Sequence, residues 1–444
     1  MVPASPLEVI TWSIIGGLVG LAVSWVPGFH IVNLIVVITL LTPEFIASNP
    51  YLMPYFALGA LVSFAFMSSV SATYLSISDD SLMLMLFPSQ RYMLMGYGHR
   101  AVLLYLVGAL GGVLFLVIFG LTIAPIVIPV VFNLFSPFYA WVLAAIVLFM
   151  FLSEWPKEGD REPTGLGRFL VAWKQLAGGL IVFFASGILG LYVNYSSIIP
   201  AERAFARLTP LFIGFFGFSW VLRNIISRVR VPKQDTRDLM ETNLRAVLAG
   251  VGSGVLGGGI AAFFPVVTGG MGALVSGHMV SSRGDDTFMI SQGAARVVYY
   301  VGALLLLFTP TARITRGAVA WIVQGIYTPK TWIEYYYALF TVLLVASLSF
   351  IATLYMSKAI ARLLQYINYV HLSIALSIVL AALSYMVAGV SGVLLMLVAS
   401  TIGFTALVFN TRLSYCLGAL ILPVLLSMTG TLDPVLQFLG VRLA

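Results

Sequence analysis

From Val9 to Leu41 the chain runs thirty-three residues without an Asp, Glu, Lys or Arg, and Pro27-Gly28 falls in the middle of the run. A straight helix of that length, at about 1.5 Å per residue, would reach roughly 50 Å, against an apolar bilayer core of about 30 Å. The stretch therefore cannot be one plain transmembrane helix. Pro27 removes a backbone donor and clashes with the preceding turn, Gly28 permits the left-handed backbone that ends a helix, and polar His30 and Asn33 follow at once. This predicts two half-helices that meet at membrane depth.

Ala246 to Ser282 is a second such stretch, again free of Asp, Glu, Lys and Arg, with ten glycines and Pro265. Gly16-x3-Gly20-x6-Pro27 in the first stretch is matched by Gly254-x3-Gly258-x6-Pro265 in the second. One copy opens each half of the chain. Interrupted apolar segments at corresponding places in two halves are the sequence mark of a secondary transporter's binding site.

Hydrophobic residues make up 60% of the chain and charged ones 9%, with a mean hydropathy of +1.04. Those values define a polytopic, all-α membrane protein and leave no separate polar domain for an enzyme or a nucleic-acid reader. The net charge of +7 sits in short loops between apolar runs, where it sets orientation. The first nine residues lack the basic start and cleavage site of a secretory signal, so the first apolar stretch is expected to remain. Cys416 has no second cysteine to pair with.

After the first stretch, spans are expected near Tyr51 to Tyr74, twice within the uncharged Ala101 to Ser153 (divided near Pro125 and Pro129), from Phe169 to Tyr195 and from Leu208 to Ile226. The most basic loop follows and is assigned to the cytoplasm. The second half repeats the pattern, with spans from Thr287 to Thr309, Tyr335 to Ser357, two within Leu363 to Thr411 parted near Gly389 to Gly392, and Leu413 to Thr431. If the 9–41 stretch is a re-entrant hairpin, the basic loops fall together on one side. Five spans then follow it, an odd number, so the second hairpin enters from the opposite face. The expected architecture is about ten transmembrane helices plus two re-entrant or broken hairpins, in two inverted-topology repeats: 1–226 with hairpin 9–41, a basic linker 227–245, and 246–444 with hairpin 246–282.

A half-helix N-terminus inside a membrane offers unpaired N–H groups and partial positive charge, which suits a carboxylate or phosphate. Pro27, Gly28, His30 and Asn33 are expected to face Pro265, Thr268, Gly269 and Gly270 across a midplane site, although the glycines also serve plain close packing. Arg296, deep in its span, is either a counter-charge for the anion or a structural partner of Asp285 or Asp286. Asp79, Asp80, Asp285 and Asp286 are candidates for coupling to Na+ or H+, and interfacial acids are also common in solvated turns. His99, His278 and His371 are isolated, so no metal cluster and no cofactor is expected.

GGLVGLAVSWVPGFHIVN, SATYLSISDDSLMLMLFPSQRYMLMGYGHRAVLLYLVGALGG and RGDDTFMISQGAARVVYYVGALLLLFTPTARITRGAVAWIV resemble motifs of the tripartite tricarboxylate transporter permease family, TctA, in its archaeal branch. Phe87-Pro88-Ser89-Gln90 and Gly293-Ala294-Ala295 depart from that family's polar steps. The resemblance implies an ion-coupled permease for carboxylates such as citrate in the cell membrane, with a small membrane subunit and an extracytoplasmic binding protein as partners. It leaves the oligomeric state open, a homodimer included. Two other functions fit the same residues: a flippase for lipid or polyprenyl phosphates, with membrane lipid as ligand, and a non-transporting membrane anchor.

Overall fold

The computed structural model describes residues 4–25, 31–75, 79–152, 154–156, 166–199, 207–227, 232–265, 267–364 and 366–441. Every element in them is helical. In chain order the longer ones are α1 (Pro6–Ser24), α2 (Ile31–Leu41), α3 (Met53–Leu75), α4 (Met83–Leu94), α5 (Gly98–Thr122), α6 (Ala124–Phe135), α7 (Tyr139–Leu152), α8 (Leu166–Tyr195) and α9 (Thr209–Ile226). After the linker come α10 (Leu244–Phe263), α11 (Gly269–Val280), α12 (Asp285–Phe308), α13 (Gly317–Ile326), α14 (Trp332–Leu363), α15 (Tyr369–Val408) and α16 (Gly418–Met428).

Ten helical stretches among the described residues are long and apolar enough to cross a membrane, α6 and α7 counting as one (Ala124–Leu152), and they include α1 and α10. In hydrocarbon every backbone polar group must be satisfied within the segment, so uninterrupted apolar sequence becomes helix. Polar caps fix the starts. Ser5 and Glu8 form a capping box before α1, Thr331 and Glu334 form another before α14, and Asn243 accepts the Ala246 amide at 2.8 Å to open α10. Breaks come where expected. α5 ends just before Pro125, and α15 is kinked at Ala388 and Gly389, the latter at φ +63°, the left-handed region that glycine tolerates.

Two compact units divide the chain: residues 1–137 with 228–372, and residues 138–227 with 373–444. In the second unit α8 packs on α16, with Gly190 against the Ala419 carbonyl and Gly418 against that of Phe183. Arg412 and Glu154 form an ion pair at 3.2 Å, and buried Tyr415 donates to the Met150 carbonyl at 3.0 Å.

The first unit holds both broken stretches, and each is a hairpin. Trp12 of α1 stacks near Phe45 beyond α2, with ring centroids 4.6 Å apart, so the chain has turned back. Gly257 of α10 and Gly272 of α11 approach so closely that a Cβ on either would meet the other's carbonyl oxygen. Each hairpin packs its first arm on the helix that follows, in parallel and through the same glycines. Gly16 and Gly20 press on the carbonyls of Phe56 and Ala60, and Gly254 and Gly258 press on those of Ser291 and Ala295. The spacing seen in the sequence is thus a spacing of backbone contacts.

The two copies run in opposite directions. Along the α3–α12 seam, Tyr55 meets Phe308, Phe64 meets Tyr300 and Ser68 meets Arg296, an antiparallel order. Their partners are exchanged: α5 packs along α12, with Gly108 against the Ile290 carbonyl, while α14 packs along α1 and α3, with Ser13 on Thr341 and Ser63 on Ser349, each 2.8 Å apart.

Candidate functional site

Arg296 sits four residues before Tyr300 and four after Gln292, so the three form one polar stripe on α12. All three are buried, and Arg296 is only 1% exposed. A guanidinium at that depth needs a partner. Its partner is Asp79, from the turn after α3. Arg296 Nη1 donates to Asp79 Oδ1 at 2.6 Å and Nη2 to Oδ2 at 2.9 Å, a two-pronged pair, while Tyr300 donates to Oδ2 at 3.0 Å. Ser68 accepts from Nη2 at 2.8 Å and Ser81 from Nη1. Phe64 and Tyr300 lie 4.8 and 4.9 Å below the guanidinium, which adds cation–π attraction. The turn is held by Ser81, whose amide and hydroxyl both donate to Asp79 Oδ1.

The second hairpin's tip completes the site. Gly269, the first residue of α11, lies so near Ser81 that an added Cβ would come within 2.4 Å of the serine Cβ. Thr268 is the N-cap residue of α11, with extended backbone, yet its hydroxyl caps nothing. Thr268 Oγ1, Gln292 Oε1 and Arg296 Nε are all buried without a hydrogen-bond partner among the described residues. Native proteins rarely leave such groups unpaired, so three along one seam signal a place for a polar ligand. The α11 N-terminus adds its partial positive charge, the first intrahelical bond running from the Gly272 N–H to the Thr268 carbonyl.

Asp79, Thr268, Gly269 and Arg296 therefore meet, with Gly270 one step further along α11. Pro265 lies just before the tip. Asn33 is buried on α2 with Nδ2 unpartnered among the described residues, and α2 packs against α1, α3 and α13. Pro27, Gly28 and His30 fall outside the described residues, as does the side chain of Asp80. Ser68, Ser81, Gln292 and Tyr300 join the site without having been anticipated. The four-residue spacing around Arg296 was the available signal for the last two.

Asp285 and Asp286 do not reach Arg296. They lie about three turns away at the start of α12, roughly 15 Å along the axis. They are engaged instead at the linker end, where Arg91 pairs with Asp285 at 2.7 Å and Arg100 with Asp286 at 2.8 Å. Tyr92 and Thr242 also donate to Asp286. Residues 232–243 of the linker, which are not helical, cover this end: Gln234 accepts from the Gly98 amide at 2.9 Å, and Asp238 binds His99 at 2.8 Å and Lys358. Hydrogen bonds from Lys358, and then from His99, hold the Asp238 carboxyl below the usual carboxylate range.

A multi-pass membrane protein of the plasma membrane, with paired broken hairpins and a polar seam at the tip of one, has the build of a transport protein. The chain belongs to the tripartite tricarboxylate transporter TctA family, whose sequence model matches residues 10–418. That is a transporter family, not an enzyme family. An uncharacterized protein of Methanocaldococcus jannaschii is 24% identical over 424 residues, covering 94% of this chain and 98% of its own. No solved structure matches.

Proposed function

We propose that the chain is an ion-coupled permease for a small organic anion, a di- or tricarboxylate, working by alternating access around the tip of the second hairpin. One observation carries the reading: Asp79 from the first repeat and Arg296 from the second meet beside Thr268, whose side chain makes no cap at the start of α11. Paired with Asp79, the guanidinium is already neutralised. A substrate carboxylate takes Arg296 only when Asp79 lets go, and a proton or Na+ on Asp79 supplies that release. Ion and anion then bind together because each lowers the cost of the other. The substrate's second carboxylate has the unpartnered Thr268 hydroxyl at the start of α11 to bind. Partners follow from the family: a small membrane subunit, and an extracytoplasmic binding protein that delivers the anion.

The test is uptake of labelled citrate and succinate into proteoliposomes under imposed pH and Na+ gradients, alongside ligand-induced stabilisation in detergent. Asp79→Asn is expected to keep anion binding and lose the dependence on the gradient. Thr268→Val is expected to weaken binding with the fold intact. Absence of uptake together with absence of stabilisation by either carboxylate overturns the proposal. Lipid headgroup translocation, the second reading, draws on an apolar cavity beside Phe264; scrambling of labelled headgroups in the same vesicles would support it.

A further inference from the structure

Between α5, α6, α10 and α12 lies a cavity of about 400 Å³, in the size range of ligand pockets and separate from the Arg296 seam. Its walls are Phe119, Val127, Phe135, Leu256, Phe264 and Leu305 among others, and nearly all of them are apolar. Its two hydroxyls are directed to main-chain carbonyls: Thr309 donates to Leu305 and Tyr335 to Gly120. A carboxylate would find nothing to bind there, so the transported anion is the wrong occupant.

Glycine forms the floor. A Cβ added at Gly259 would meet no atom within 4 Å, which marks a recess rather than a packed contact. Leu256 on the rim of this recess is exposed, as are Ile126 and Val130 on α6. These helices are apolar enough to cross a bilayer, so their exposed faces look onto hydrocarbon. A recess left unfilled forfeits dispersion contacts along its whole lining, and a bilayer supplies one abundant filler of the right polarity and shape, a lipid chain.

One end of the recess is basic. Arg316 reaches to the Phe263 carbonyl at 2.8 Å, with its guanidinium 5.9 Å from the Phe132 ring. Arg313 follows close by in sequence and donates to the Lys330 main-chain carbonyl at 3.0 Å. The nearby acid, Glu334, has its carboxylate committed to Tyr327, Thr331 and the Lys330 amide. We propose that this recess is a lipid site, holding one hydrocarbon tail of an anionic membrane lipid whose headgroup is met by Arg316. The proposal stands apart from the transport reading.

The test is native mass spectrometry of the delipidated protein titrated with phosphatidylglycerol or phosphatidylcholine. The wild type is expected to retain one phosphatidylglycerol, preferred over phosphatidylcholine by about fivefold, as one basic residue near a membrane surface provides. Gly259→Trp projects an indole from a position where an added Cβ meets no atom, and is expected to abolish retention with melting unchanged. Arg316→Gln is expected to keep a lipid and lose the headgroup preference. Equal retention by Gly259→Trp and the wild type overturns the proposal. So does a wild-type dimer that Gly259→Trp dissociates, which would place a second copy in the recess.

Discussion

Arg296 shows what a single residue reveals and conceals. Its depth within an apolar span was legible, because a cation so far from water is rarely accidental. Its partner was not, because Asp79 lies 217 residues away and nothing in one sequence joins the two. The geometry changes what its loss should do. Removing one member of a buried pair strands the other, at a cost of about 3–5 kcal/mol. Arg296→Ala is therefore expected to lower stability in detergent by that order, and the Asp79→Ala, Arg296→Ala double variant to lose less than the two single variants together. Arg296→Lys lacks the planar fork and should fall between the wild type and Arg296→Ala. Additive losses in a double-mutant cycle of thermal or denaturant unfolding would show that the pair is not coupled.

Hairpins were the most legible elements, because close backbone approach admits few residues besides glycine and interruption needs proline. The same reasoning separates glycines that look alike in sequence. A Cβ on Gly254 would fall 2.5 Å from the Ser291 carbonyl oxygen, whereas one on Gly252 meets nothing. Gly254→Leu is expected to cost at least the roughly 1–3 kcal/mol of overpacking, since backbone and not a flexible side chain must yield. Gly252→Leu should melt within about 0.5 kcal/mol of the wild type, as exposed substitutions do. Comparable melting of the two variants would remove the packing role of the repeated spacing. The linker was the least legible element. Its charge suggests a solvated loop, yet Gln234 is buried and bonds both Gly98 and Met93. A lone glutamine in a polar run announces no such contact.

At the scale of the molecule, counting spans was enough to suggest opposed repeats, because an odd number of crossings after each hairpin reverses the next. It could not show the exchange of partners, since no count reports which helix packs on which. The exchange has a consequence for folding. α12 buries Gly293 against the Tyr105 carbonyl of α5, and α3, with its span wholly buried, lies along α14. Either repeat alone would expose those faces to lipid, which satisfies apolar side chains but not the close backbone packing at Gly108 and Gly293, nor Asp79 without Arg296. Chains cut in the linker, 1–231 and 232–444, are expected to aggregate or be degraded when made singly. Made together they should co-purify as a monodisperse complex, because the contacts that order each lie on the other. Size-exclusion chromatography and circular dichroism of the single and paired fragments decide it. A stable, monodisperse first fragment on its own would mean that the exchanged contacts are incidental to the fold.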